Sequence, residues 1–320
     1  MKKPVIRIPA SKDAPQIKAL MAFAVLNEAS AFHKQRDCRH PLGVYNMSLQ
    51  RISKNVSRCS DRLEEFWTST GANDEILEEV VDYLELALYS AAEHVDDVNR
   101  IAMTFFESDV QAKNSKDFRL LKGRIRPLRS EISSFTNTIK HAHGRVRLYR
   151  VNFVHGNVAS DLIGFFIEGF KDGSCGPSPI LHTDGKKIIS ITSFLWNILT
   201  FLSEVSCVLY DFLLSVRAFD ANDIERIEHE PFQDAAVKLS RLPNYSFDDK
   251  HPFERVRWVL EANVDLLDYS KSQIYGSMRN GWSLSSQGEF RGSKLLYVGD
   301  GITRSFQVVE PKSLHLQRWT

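Results

Sequence analysis

The chain has 320 residues, 43% hydrophobic and 25% charged, with 41 Lys and Arg against 40 Asp and Glu. That composition suits a globular chain with room for one large or two ordinary domains, and it excludes a disordered or low-complexity protein. A formal net charge of +1 excludes a global pull toward nucleic acid or membrane, so any such attraction has to be local.

The opening, MKKPVIRIPASKDAP, has two lysines but no apolar run of signal-peptide length. Four widely spaced cysteines, Cys38, Cys59, Cys175 and Cys207, form no CxxC pair, which fits free thiols in a reducing, cytoplasmic compartment. A first helix is expected over 13–34, with Asp13 as cap, Pro15 in the first turn and Ile17, Leu20, Met21, Ala24 and Val25 at helical spacing. HKQRDCRH then breaks the pattern. His33, Cys38 and His40 could offer three ligands to zinc. Their spacing fits no usual structural site and no fourth ligand is evident, so a polar loop without metal is expected.

A second helix is expected over 45–69, ended by Gly71, and a third over 74–108, where Ile76, Leu77, Val80, Leu84, Ala87, Ala91, Val95, Val98, Ala102 and Phe105 form one stripe. SDVQAKNSKD is a polar break. The clearest stripe follows, from Phe118 through Leu121, Ile125, Leu128, Ile132, Phe135 and Ile139 to Val146, with Pro127 expected to kink or split the helix and Gly144 to mark its end. Over 146–187 the period changes to short aromatic and branched runs between glycine turns, which predicts a small antiparallel sheet.

Helix resumes over 190–219. The stretch 194–216 has the length of a membrane span, but Asn197, Glu204 and Asp211 share one face of it, and charges inside a lone span are costly. A helix buried on most of its girth inside a protein is expected instead, its acids paired with bases from the 113–150 helix. FDANDIERIE predicts a short helix interrupted by Pro231, and Pro252 opens another that fades by 278. The tail reads as strands joined by glycine turns, VGDGI being the best hairpin turn.

The fold class expected is therefore mainly α: a helical bundle with a small antiparallel β insertion and C-terminal β-hairpins. Its parts are a helical domain at 1–145 containing a helical hairpin at 74–145, the insertion at 146–187, bundle-completing helices at 188–278, and hairpins at 279–320.

Charge is opposed along the chain. Residues 61–109 hold fourteen acids against two bases, and residues 113–150 hold eleven bases against two acids. Two such helices joined by a short break are expected to pack antiparallel with complementary flanks. The basic excess could also meet an anionic partner such as RNA, with Arg126, Arg145 and Arg147 as contacts.

NTIKHAHGR, at 137–145, concentrates reactive groups. Asn137 and His141 are four apart and share the face opposite the apolar stripe; Lys140 lies beside them. An imidazole moves protons near neutral pH, a lysine steadies a phosphate or oxyanion, and an amide orients a ribose or phosphate. These are also ordinary residues for an exposed helix end, where Lys and His complement the dipole.

An acidic helix, a basic partner and a polar-x-x-x-His element late in the second resemble the HEPN-type helical bundles of prokaryotic toxins and defence proteins. The resemblance covers residues 74–145, with the 190–219 helix as a further bundle member. Active members are metal-independent ribonucleases carrying an arginine, a polar residue and, a few positions on, a histidine. Asn137 and His141 stand at the polar and histidine positions, and Thr136 stands where the arginine should be. The resemblance implies an RNA-binding or RNA-cleaving protein, catalytic through Asn137, Lys140 and His141, without cofactor or membrane, and able to form a homodimer. Lys140 or Arg145 would have to supply the missing charge. The alternative is a non-enzymatic scaffold.

Overall fold

A computed structural model describes residues 17–69, 74–155, 158–182, 188–225, 227, 229–242 and 302. It also describes the strand backbone at 5–6, 244–246, 260–261, 282–284, 289–295, 304–305 and 315–319; the side chains of 152–160 lie outside it. The chain is mainly helical with a small, largely antiparallel sheet, as the periodicities predict. In chain order the elements begin with β1 (Val5–Ile6), α1 (Lys18–Ala24), α2 (Pro41–Thr68), α3 (Asp74–Met103), α4 (Asp109–Asn114) and α5 (Lys116–His141). The strands β2 (Val146–His155), β3 (Val158–Lys171), β4 (Ser174–Pro177) and β5 (Ile189–Ser190) follow, then α6 (Ile191–Ser215) and α7 (Glu230–Ser240).

The helix expected over 13–34 is shorter. Residues 13–16 lie outside the described residues; the observed helix begins at Lys18 and stops at Ala24, after which a tertiary bond takes the backbone: Asn27 N donates to Ala218 O at 2.8 Å. The Asn27 side chain then caps a single 3₁₀ turn at Glu28–Ser30. The polar break before α5 holds a short helix instead, capped by Ser108. Pro127 does not split α5. Its ring and Gly123, whose carbonyl an ordinary residue at 127 would bond, both face solvent, so the unused carbonyl stays hydrated. Pro231 is not an interruption either: it opens α7, where a missing N–H costs nothing, and His229 caps it by accepting from Phe232 N. The FDANDIERIE helix reduces to one 3₁₀ turn at Ala221–Asp223.

α6 is the central helix. Of its 25 residues 18 are buried, and α1, α3, α5 and α7 pack around it. Its length and composition alone would allow a membrane span, but the face left partly open is the predicted polar one, with Asn197, Glu204, Cys207 and Asp211. Asp211 receives Arg124 of α5 at 2.7 Å, the cross-helix pairing expected for it.

α3 lies between α2 and α5. It does run antiparallel to α5, Asn99 facing Arg126 and Tyr89 facing Lys140, but among the described residues the two of its acids that pair with another helix pair with α2: Glu93 with Arg51 at 2.5 Å and Glu79 with Arg62 at 2.9 Å. Among the described residues no ion pair joins α3 to α5, so the complementary-flank expectation fails in detail. What holds the pair is the apolar seam of Leu84, Ala91, Val95 and Val98 with Leu121, Ile125 and Ile132 in one core.

At the end of α5 the chain must turn sharply into the sheet. His143 takes a left-handed conformation, φ 53°, and Gly144 passes so close to β3 that a Cβ there would sit 2.8 Å from the Glu168 carbonyl. Gly144 marks the helix end as predicted, although its reason is this close approach. β2 and β3 then pair antiparallel along their full shared length, from Val146–Ile167 to His155–Val158. Phe165 of β3, Phe135 of α5 and Phe194 of α6 join sheet to bundle, with ring centroids 5.2–6.5 Å apart.

The tail strands β9 (Glu289–Leu295) and β10 (Arg304–Ser305) complete this sheet against β2 and β4, in the order β10-β4-β3-β2-β9. β11 (His315–Trp319) lies between β6 (Asn244–Ser246) and β8 (Trp282–Leu284). Among the described residues, β9, β10 and one edge of β11 pair with strands distant in sequence, and β11 pairs on its other edge with β8 of the tail itself. The helix expected from Pro252 lies outside the described residues except at β7 (Leu260–Glu261), which pairs with β1. The VGDGI turn lies outside them except for the exposed Ile302.

Candidate nucleic-acid interface

α5 carries two faces. Phe118, Leu121, Ile125, Ile132, Phe135 and Thr136 are buried. At 100° per residue, Arg119, Lys122, Arg126, Arg129, Ser130, Ser133, Asn137, Lys140 and His141 all fall within about 60° of the direction of Arg126. Each is exposed, except for the half-buried Arg129 and Ser133. This stripe spans 22 residue steps, roughly 33 Å of helix. Glu131 is the single acid between Phe118 and His141, and it falls outside the stripe.

The cations of the stripe are electrostatically open. Among the described residues, Arg119, Lys122, Arg126, Arg129 and Lys140 have no acidic partner. Lys122 Nζ lies 5.9 Å from the Phe118 ring and Lys140 Nζ 4.8 Å from the Tyr89 ring, contacts that orient an ammonium without neutralising it. Lys122, Arg126 and Arg129 line one wall of a groove of about 470 Å³ whose other wall is Asn99 of α3. The Asn99 amide nitrogen donates to Val95 O at 2.9 Å. A groove with three cations and no carboxylate attracts an anion, and arginine forks match phosphate geometry.

A larger hollow of about 550 Å³ lies where the 38–41 segment and the first turns of α2 face the second half of α3. Its charges are mostly mutually satisfied: Arg51 pairs with Glu93, and Arg100 lies 3.8 Å from Asp97. It presents no comparable excess of either sign.

Each residue singled out in the sequence has a definite place. Asn137, Lys140 and His141 lie together at the C-terminal end of the α5 stripe, all exposed. Thr136, at the arginine position of the HEPN-like pattern, faces the core at 3% exposure and donates its hydroxyl to Ile132 O at 2.9 Å. An arginine there would point inward, so the missing charge is a consequence of helix phase. Arg126 is exposed in the groove. Arg145 is exposed just beyond the helix, where it and Arg147 place positive potential on Glu85 of α3. Burial raises the Glu85 carboxyl nonetheless, partly offset by a hydrogen bond from the Val146 amide. Arg147 is not a free contact: its Nε lies 2.6 Å from Oε1 of Glu168, which is 3% exposed. Arg119, Lys122 and Arg129 were the members not singled out. Stepping by three and four from Arg126 finds all of them, whereas a count of charges does not give their direction.

No protein-family model matches this chain, and no curated protein or solved structure matches it either.

Proposed function

We propose that this chain binds RNA, the phosphate backbone lying along the outer face of α5 and seated in the groove of Lys122, Arg126 and Arg129. The observation that carries this reading is a row of five cations about 33 Å long, with no acidic partner among the described residues. A row of cations without acidic partners offers a polyanion several contacts at once. The HEPN-like resemblance adds a prokaryotic stress or defence setting, a two-fold assembly, and a metal-independent cleavage in which His141 moves the proton while Lys140 and Asn137 hold the phosphate. Because Thr136 is interior, binding is the better supported half of this reading.

Anisotropy of a labelled single-stranded RNA, titrated with full chain over a range of salt, tests it. Three to five phosphate contacts give a slope of roughly −2 to −3.5 in log affinity against log salt. The Lys122→Glu, Arg126→Glu double variant should flatten that slope and weaken binding at low salt. Incubation in EDTA beside His141→Ala tests cleavage separately. Absence of binding, or binding indifferent to salt and to the double variant, would leave the non-enzymatic scaffold as the better account.

A further inference from the structure

The stretch between α1 and α2 is built to hold three side chains together. Phe32 N donates to Thr104 O at 2.7 Å and Cys38 N to His33 O at 2.8 Å. Asp37 takes a left-handed conformation, φ 51°, to close the turn. Arg36 pins the turn to the end of α3 through the Met103 and Phe106 carbonyls and to Asp109. The result brings His33 and His40 beside Glu28 of the 3₁₀ turn. One ring nitrogen of each histidine and one carboxylate oxygen all lie within 4.8 Å of one another. The two imidazoles meet edge to face with centroids 4.9 Å apart.

His33 is the anomaly. It is 4% exposed, and its Nδ1 is fully covered without a hydrogen-bond partner among the described residues. A polar ring placed in the interior without a partner is costly, and native chains rarely leave one so. Glu28 and His40 are partly open, with side chains 54% and 35% exposed, so solvent and small ions reach the cluster from their side.

We propose that Glu28, His33 and His40 form a binding site for a divalent transition-metal ion, Zn²⁺ fitting best, with its fourth position open to water. Two imidazoles and a carboxylate are a borderline donor set suited to this ion. Ligands at its usual bond lengths stand roughly 3.3 Å apart in a tetrahedron, within reach of the present spacing after small side-chain rotations. Two contacts change on binding. His40 Nε2 now faces Glu28 Oε1 at 2.6 Å, and its Nδ1 accepts from Leu42 N at 3.2 Å as the cap of α2. The ion takes the Nε2 lone pair, the ring proton moves to Nδ1, and Leu42 N turns to water. The Glu28–His40 hydrogen bond becomes two metal bonds. Cys38 stays outside: its Sγ is 3.3 Å from Arg36 O. The bound ion would tie the 3₁₀ turn, the 31–40 segment and the start of α2 into one unit.

The test uses full chain freed of metal by chelation, titrated with Zn²⁺ by calorimetry and with Co²⁺ by visible absorption. One ion per chain is expected, with the visible band of four-coordinate Co²⁺ and a melting temperature that rises with Zn²⁺ concentration. Glu28→Gln and His40→Gln should each weaken binding roughly tenfold or more. Cys38→Ser should leave it unchanged. His33→Phe, which fills the same interior space, should abolish binding while the metal-free protein melts no lower than before. Absence of saturable one-to-one binding overturns the proposal. So does binding that survives both Glu28→Gln and His40→Gln, or that Cys38→Ser removes. Glu28 is solvent-facing, so its variant decides the matter even if His33→Phe does not fold.

Discussion

Lowering the pH from 8 to 5 should destabilise this protein through His94 by an amount that can be worked out. His94 is 0% exposed. Its Nδ1 meets the Ser48 hydroxyl at 3.0 Å, its ring lies 5.5 Å from that of Tyr45, and its Nε2 has no partner among the described residues. Nothing there compensates a positive charge, and desolvation pulls the imidazole down to about 4. The unfolded chain binds that proton near its ordinary value of about 6.5. Between the two values the unfolded state holds more protons, so stability is full above about 6.5 and declines as pH falls toward 4. Linkage puts the loss at pH 5 at about 2 kcal/mol. Urea unfolding at pH 8 and pH 5, for the wild type and His94→Phe, isolates this contribution, because the other titrations cancel in the comparison. The wild type should lose about 2 kcal/mol more than the variant between the two conditions. Equal losses, or a greater loss in His94→Phe, would refute the assignment of His94 as a neutral group in a dry interior.

Arg147→Ala should destabilise the chain by about 3–5 kcal/mol, since it takes the guanidinium away from the buried Glu168 carboxylate; chemical denaturation reads this directly. Phe165→Ala empties the contact between sheet and bundle and should cost about 3–5 kcal/mol, with an unfolding transition that stays single if the two parts fold together. Thr136→Arg, which restores the arginine of the HEPN-like pattern, should lower the melting temperature and create no EDTA-resistant ribonuclease activity, because that position faces the core. A stable Thr136→Arg protein that cleaves RNA in EDTA faster than the wild type would overturn the placement of Thr136.

The long helices were legible because each has a continuous apolar stripe, and burial follows those stripes through Leu84, Val95, Leu121 and Ile132. The reading failed once at a local cap and elsewhere where a distant group decides. Pro231 looks like a breaker in isolation; His229 beside it makes it a helix start. The helix from 13 gives way to a bond from Asn27 to Ala218, which no local pattern announces. The acids of α3 and the bases of α5 are neighbours in sequence, yet Glu79 and Glu93 find their arginines on α2 and Arg124 its aspartate on α6. Charge blocks name the groups in need of partners without ranking competing helices.

The candidate sites divide in the same way. The stripe on α5 was determined by sequence alone, because helix geometry fixes which side chains share a face once the apolar side is known. Its exposure was decided by the packing of the bundle, which leaves that face of α5 uncovered and, among the described residues, brings no carboxylate to Arg119, Lys122, Arg126, Arg129 or Lys140. His33 and His40 could be read as a loop, but Glu28 joins them only through the turn at 31–40 and its anchors on α3. A side chain's direction is a local property of the backbone; its neighbours are a property of every other segment that reaches the same place.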